Sequence, residues 1–141
     1  MNIYIDCEWN GYRGDLISMA LVADNGEEFY EVLPCSTPVQ WIAENVMPIL
    51  NKEPITATTF TVKLGNFLNQ FDRVHVIADW PEDIERFCRQ LILDAGMCIN
   101  TPPLTMEIVR INSESKLPHN ALEDARDLMH AYVTEKYENH R

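Results

Sequence analysis

The run Ile3-Tyr4-Ile5-Asp6-Cys7-Glu8 is a short hydrophobic segment that ends in two acidic residues. Its first half has the composition of a buried strand. Because successive side chains of a strand alternate between faces, Asp6 and Glu8 point the same way and Cys7 points into the core. Two adjacent carboxylates raise each other's pKa unless a positive charge lies between them. The segment therefore predicts a site for Mg²⁺ or Mn²⁺, which prefer oxygen ligands, and the alternative is an acidic strand end that meets solvent.

The rest of the chain alternates strand and helix patterns in the order typical of an α/β domain. Strands are expected at residues 3–8, 16–23, 28–33, 74–78 and 104–111, and Asn25-Gly26 predicts a hairpin between the second and third. Helices are expected at residues 39–50, with Pro48 ending this one early, at 59–71, from Pro81 through Ile92, and at 121–138. The first three strands should form an antiparallel meander within a mixed five-stranded sheet flanked by helices.

Composition limits the function. At 141 residues and 46% hydrophobic content, residues 1–141 are expected to form one domain. No apolar run reaches the length of a membrane span, no export signal is visible, and the four cysteines lack metal-site spacing, so a reducing cytoplasm is the expected location. The net charge of −11 argues against a protein that coats long nucleic acid. Any nucleic-acid role should be local, at a strand end or in a cleft.

A third carboxylate, Asp79, ends the predicted fourth strand. If that strand lies beside the first, its carboxyl end brings Asp79 to Asp6 and Glu8, at the edge where open α/β sheets bind ligands. The alternative is an aspartate that only caps the next helix.

The segment Pro118-His119-Asn120-Ala121-Leu122-Glu123-Asp124 precedes the last helix. Asn120 and Glu123 have the spacing of a capping box, so the helix should begin at Ala121. His119 would then lie on a loop and Asp124 in the first turn. The alternative is a surface histidine and an aspartate stabilised by the helix dipole.

Together these segments resemble the DEDD exonucleases, in the branch with a histidine five residues before the last aspartate. The resemblance rests on Asp6-x-Glu8 with Gly11, on Asp79 and on the segment from His119 to Asp124. It implies a ribonuclease H-like fold, two Mg²⁺ or Mn²⁺ ions and 3′-to-5′ release of nucleoside monophosphates. By this likeness Asp6, Glu8, Asp79 and Asp124 would hold the ions, and His119 would be the general base. Small bacterial and phage exoribonucleases of this branch, which share the compact size and a tryptophan after the first motif, are the nearest likeness.

The chain departs from this pattern at positions that affect substrate contacts. Trp9-Asn10 stand where many members have Thr or Met and then Thr or Ser, and His75 stands four residues before Asp79, where the family often has asparagine. Trp9 either stacks on the terminal base or packs against the next helix. The further expected substrate contacts are Asn10, Gly11, Arg110 and Lys116, although residues placed like the last two are more often solvated.

The function expected from these residues is a 3′-to-5′ exoribonuclease acting on single strands or 3′ overhangs. Its partners would be nucleic-acid 3′ ends, RNA before DNA, and a homodimer is left open. The alternatives are a DNA exonuclease of proofreading type and a catalytically inactive module that binds nucleic-acid ends. Endonucleolytic ribonuclease H chemistry fits less well, because a histidine at this spacing is the exonuclease arrangement.

Overall fold

The computed structural model describes residues 1–111 and 115–139. These residues form seven strands and four helices. The strands are β1 (Asn2–Trp9), β2 (Leu16–Ala23), β3 (Glu28–Val32), β4 (Val74–Ala78), β5 (Ile92–Asp94), β6 (Met97–Cys98) and β7 (Leu104–Ile108). The helices are α1 (Gln40–Asn45), α2 (Ala57–Asn69), α3 (Pro81–Leu91) and α4 (Ala121–Asn139), and a single 3₁₀ turn spans Met47–Ile49.

Five of the strands form one mixed sheet in the order β3-β2-β1-β4-β7. The first three strands pair antiparallel, whereas β1 pairs in parallel with β4 and β4 in parallel with β7. The predicted α/β class, the mixed five-stranded sheet and the antiparallel meander are therefore confirmed. β1 is the central strand, and its carboxyl end lies at the same edge as those of β4 and β7.

The elements differ from the predicted ones mainly at their ends. Ile92 was expected in the third helix but begins β5, which pairs with β6 in a separate two-stranded ribbon around Gly96. The helix expected at residues 39–50 stops at Asn45 and continues as the 3₁₀ turn that contains Pro48, whose missing N–H disrupts helical bonding. The last sheet strand ends at Ile108 rather than at residue 111.

The sheet separates two hydrophobic layers. Helix α2 and Phe87 of α3 pack on one face, against Ile3, Ile5 and Cys7 of β1. Helix α4 packs on the other face, where Tyr4 lies beside Leu128. Cys7 is buried on the face opposite to Asp6 and Glu8, as the alternation of the strand predicted. The acidic side chains of β1 therefore face α4.

Asn120 fixes the start of α4, which begins at Ala121 as predicted. Its Oδ1 accepts the backbone N–H of Glu123 at 3.1 Å, and its Nδ2 donates to the carbonyl of Ile49 at 2.8 Å. In a capping box the Glu123 carboxylate would accept the backbone N–H of the cap residue, but here it pairs with Arg126 instead. The buried Asn120 thus ties the first turn of α4, which carries Asp124, to the 3₁₀ turn.

Replacing Asn120 by alanine should lower the free energy of unfolding by about 1–3 kcal/mol, because it removes a helix cap and leaves the partly buried carbonyl of Ile49 without this partner. Urea denaturation measures this loss. The matched control is Asn66→Ala on the exposed face of α2, which should change stability by less than about 0.5 kcal/mol. Equal stabilities of the two variants would contradict the role assigned to Asn120.

Candidate functional site

Five carboxylates converge at the carboxyl end of the central strand. They form two groups, Asp6 with Glu8 and Asp124, and Asp6 with Asp79 and Asp83, and in each group the ligand atoms lie within 4.8 Å of one another. The parallel pairing of Tyr4 with Ile77 puts Asp6 and Asp79 at the same level, each two residues further along its strand. The four aspartate and glutamate residues singled out from the sequence are therefore brought together, and Asp6 belongs to both groups.

Asp83, in the first turn of α3, was not identified from the sequence. The pairing of β1 with β4 ends at Tyr4, so the backbone N–H of Cys7 lies beyond its neighbour strand. Asp83 Oδ1 accepts this N–H at 3.0 Å, which holds the carboxylate against β1. The side chain is buried although it is acidic.

Asp83 could have been identified from its spacing along the sequence relative to Asp79. In the exonucleases that the motifs resemble, an asparagine often stands four residues before the middle aspartate, and Asp79 stands four residues before Asp83. Aligning that motif on Asp83 puts Asp79 in the asparagine position. His75 then has no place in the motif, and its ring contacts β7 instead, with Nδ1 at 2.6 Å from Thr105 Oγ1.

The electrostatics of the cluster favour protonated carboxyl groups as long as no cation is bound. Burial raises the pKa of Asp6 well above its usual range, and the charges of Asp83 and Glu8 raise it further. Burial, with the charge of Asp124, raises the pKa of Glu8 from 4.5 to about 8. Burial also raises the pKa values of Asp79, Asp83 and Asp124.

The donor set fits hard divalent cations. Asp6 Oδ2 is buried and has no hydrogen-bond partner in the described part of the chain. Among the ion pairs of residues 1–111 and 115–139, none involves these five carboxylates. Partly or fully buried carboxylates with neither Lys nor Arg as partner match the all-oxygen ligand sets of Mg²⁺ and Mn²⁺. Because the two groups share Asp6, these residues could hold two neighbouring ions.

His119 lies beside the cluster on the loop before α4. Its backbone adopts a left-handed conformation with φ of 72°, and its N–H donates to Asp124 Oδ2 at 3.1 Å. The exposed imidazole contacts the ring of Trp41 edge-on, with 4.9 Å between the centroids. The backbone of His119 is thus hydrogen-bonded to a carboxylate of the cluster, while its ring lies at the surface. Trp41, on α1, was not singled out from the sequence.

Three of the expected substrate contacts build the first loop. Trp9 is partly buried and packs against the core, with the guanidinium carbon of Arg86 5.5 Å from its ring centroid. Asn10 joins the loop to the segment before α1, since its Nδ2 donates to the Thr37 carbonyl and its Oδ1 accepts the Val39 N–H. Gly11 has a φ of 72°, and an added Cβ would lie 3.3 Å from a Val39 methyl group.

The two basic residues expected to touch substrate lie outside the carboxylate cluster. Arg110 is exposed next to Trp80, the residue after Asp79, at 6.0 Å from its ring centroid. Lys116 lines a depression of about 290 Å³ together with Asp127 and His130 of α4. In the described part of the chain, neither cation forms a hydrogen bond or ion pair with the five carboxylates.

Comparison with known proteins adds no support to the resemblance to the DEDD exonucleases, which rests on the motif residues alone. No protein-family model matches this chain, and no curated protein matches it significantly in sequence. Within residues 1–111 and 115–139, every helix is too short or too polar to cross a membrane.

The carboxylate cluster predicts an unusual pH dependence for the metal-free protein. A group whose pKa is raised by folding stabilises the fold below its unfolded pKa, and that stabilisation is lost as the pH rises through the folded pKa. For Glu8 this window runs from 4.5 to about 8. The melting temperature in a chelator should therefore fall as the pH rises from 5 to 8.

Thermal denaturation with and without Mn²⁺ measures this effect, and the ion should raise the melting temperature more at pH 8 than at pH 5. Glu8→Gln is the informative variant, because it removes one of the titrating groups and should flatten the pH profile of the metal-free protein. A metal-free melting temperature that rises between pH 5 and 8 would contradict the electrostatic interpretation.

Proposed function

We propose that this protein is a cytoplasmic, metal-dependent 3′-to-5′ exoribonuclease with a ribonuclease H-like fold. The observation that carries the proposal is the convergence of Asp6, Glu8, Asp79, Asp83 and Asp124 next to a loop histidine. The resemblance rests on short motifs that lie far apart in the sequence, and their side chains meet at one edge of the sheet. The sheet order, with the acidic central strand between an antiparallel meander and parallel neighbours, agrees with the proposed fold.

The carboxylates would hold two Mg²⁺ or Mn²⁺ ions, which neutralise the phosphate charge, stabilise the leaving 3′-oxygen and acidify a bound water. The protein's own residues determine where these effects apply. Asp6, as the shared member, and Asp83, held by the Cys7 N–H, keep the ligand oxygens fixed around the terminal phosphodiester. The products would be nucleoside 5′-monophosphates.

His119 would accept the proton of the attacking water. Its imidazole is exposed, and its backbone N–H contacts Asp124, so the ring can reach a water close to that carboxylate. Histidine is the side chain most often used as a general base in enzymes. Trp41 limits the ring on one side through its edge-on contact.

A 5′-labelled single-stranded RNA incubated with Mn²⁺ should be shortened one nucleotide at a time into a descending ladder, because attack begins at a free 3′ end. Chelator should abolish the reaction. Asp83→Asn should lower the rate by several orders of magnitude, as Asp124→Asn should, whereas the control Asp72→Asn, at an exposed position before β4, should keep at least half of the activity. A matching DNA strand tests the alternative of a DNA exonuclease, and cleavage of a circular RNA would indicate an endonuclease.

His119→Ala should lower kcat by roughly 10²–10⁴-fold, the usual contribution of general acid–base catalysis, with little change in metal affinity. Steady-state kinetics give the first quantity, and calorimetric titration with Mn²⁺ gives the second. The control is His130→Ala on α4, a histidine outside the carboxylate groups. A parallel fall of metal affinity and rate in His119→Ala would make this residue a ligand rather than a base.

A further inference from the structure

A second cleft lies next to the carboxylate cluster, between the loop at residues 11–14 and α3. Its volume is about 440 Å³, and it is lined by Tyr12, Arg13, Glu82, Glu85, Arg86 and Arg89. Arg86 follows Asp83 by three residues on α3, about 4.5 Å along the helix axis, and Trp9 directly follows Glu8. The cleft is therefore adjacent to the carboxylates on the α3 side, whereas His119 approaches them from the α4 side.

Arg86 is the unusual residue of this cleft. Its side chain is charged yet only 5% exposed, and its Nε has no hydrogen-bond partner in the described part of the chain. The guanidinium lies over the ring of Trp9, which supports one of its faces but accepts none of its N–H groups in a conventional hydrogen bond. Burying a guanidinium whose N–H donors have no partners costs free energy, unless an anion accepts hydrogen bonds from them.

Both acidic residues of the cleft have partners other than Arg13 and Arg86. Glu85 pairs with Arg89 at 2.8 Å, and Glu82 Oε1 accepts the indole N–H of Trp80 at 3.4 Å. No ion pair among residues 1–111 and 115–139 includes Arg13 or Arg86. These two arginines are therefore available for an anion that enters the cleft.

Tyr12 adds a flat apolar surface at the mouth of the cleft. Its side chain is 85% exposed, and the guanidinium carbon of Arg13 lies 5.2 Å from its ring centroid. Exposed aromatic rings interleaved with arginine side chains are the usual elements that hold single-stranded nucleic acid, through base stacking and phosphate contacts.

We propose that this cleft binds the phosphodiester immediately upstream of the scissile one, with Arg86 and Arg13 on the phosphate and Tyr12 stacked on the adjoining base. This inference rests on the proposed function, since it places the scissile phosphate among the carboxylates. Arg86 provides bidentate donors at a fixed position because Trp9 and the core restrain it. The cleft thereby gives the strand a direction, from the α3 side into the carboxylate cluster.

A double-mutant cycle between protein and RNA tests this assignment. The measured quantity is the affinity for a labelled five-nucleotide RNA in Ca²⁺, which replaces Mg²⁺ without supporting turnover. Arg86→Met should weaken binding about tenfold and lower the salt slope of log K by about 0.7, the value for one lost phosphate contact on a single strand. A methylphosphonate, which is uncharged, at the second linkage from the 3′ end should weaken binding to the unmodified protein equally.

The decisive result is the combination of the two changes. If Arg86 contacts that phosphate, the methylphosphonate should cause no further loss in Arg86→Met, whereas additive losses would overturn the proposal. Arg13→Gln, at an exposed position, gives the same test should the Arg86 variant fail to fold. Arg73→Met is the matched control, because this exposed arginine precedes β4 and lies at the opposite edge of the sheet.

The outcomes separate this proposal from the proposed function. A protein that binds the RNA but does not hydrolyse it in Mn²⁺ would refute the exoribonuclease, while the cycle would still decide whether the cleft holds a phosphate. A protein that hydrolyses RNA with an additive cycle would refute the cleft alone, and a protein that binds no RNA would refute both. Titration with inorganic phosphate tests whether the cleft binds free phosphate rather than a phosphate of the RNA strand. Tight binding of free phosphate that Arg86→Met abolishes, with an additive cycle, would overturn the strand assignment.

Discussion

The repulsion among five carboxylates at the end of one central strand is the constraint that shapes this molecule. Two unit charges 4.8 Å apart, the limit within each carboxylate group, repel by roughly 3.5 kcal/mol at an effective dielectric constant of 20. A cluster of this kind cannot be fully ionised without cations, so in the metal-free protein part of it must take up protons. Burial, together with the charge of Asp124, raises the pKa of Glu8 to about 8 and so favours its protonated form. Unless ions are bound, the five carboxylates therefore lower the stability of the folded protein.

The sheet creates the room for this cluster by the unequal lengths of its strands. β1 continues to Trp9, whereas its pairing with β4 ends at Tyr4, so the segment from Asp6 onward has only β2 as a strand neighbour. Asp83 occupies part of the gap and bonds the Cys7 N–H that would otherwise be unpaired. A register shift between β1 and β2 follows at Glu8 and Trp9, where bulges commonly re-aim side chains. The end of the β4 pairing and the register shift against β2 thus lie on either side of Asp6 and Glu8 in β1.

The parts of this structure that follow from local patterns could be predicted from the sequence. Alternation placed Asp6 and Glu8 on one face, the Asn25-Gly26 turn indicated the meander, and the Asn120 cap located the first turn of α4. Asp83 was not predictable in this way, because acidic residues in a first helical turn are common for reasons of the helix dipole alone. Its position depends on the backbone of Cys7, which lies 76 positions away in the chain and becomes a neighbour only through the fold.

The substrate contacts were harder to predict for a related reason. Trp9 and Asn10 follow the acidic motif directly, so proximity in sequence suggested substrate contact. In the structure Trp9 packs against the core and Asn10 holds the segment before α1. Exposed rings near the carboxylates instead include Trp41, beside His119, Tyr12, beside Arg13, and Trp80, directly after Asp79. Burial, which a single sequence reveals only in outline, decides which aromatic side chain remains free to stack.

The net charge of −11 and a polyanionic substrate are compatible if attraction is confined to one place. Charges separated by more than about 8 Å are largely screened at physiological ionic strength, so the acidic surface repels the distant parts of a strand only weakly. Ions among the carboxylates would reverse the local sign of the potential, and Arg86 and Arg13 would extend the positive region by one phosphate. A short stretch of strand at this place would then meet favourable charge. This charge distribution favours a terminus over a continuous strand, because a terminus brings few phosphates near the acidic surface.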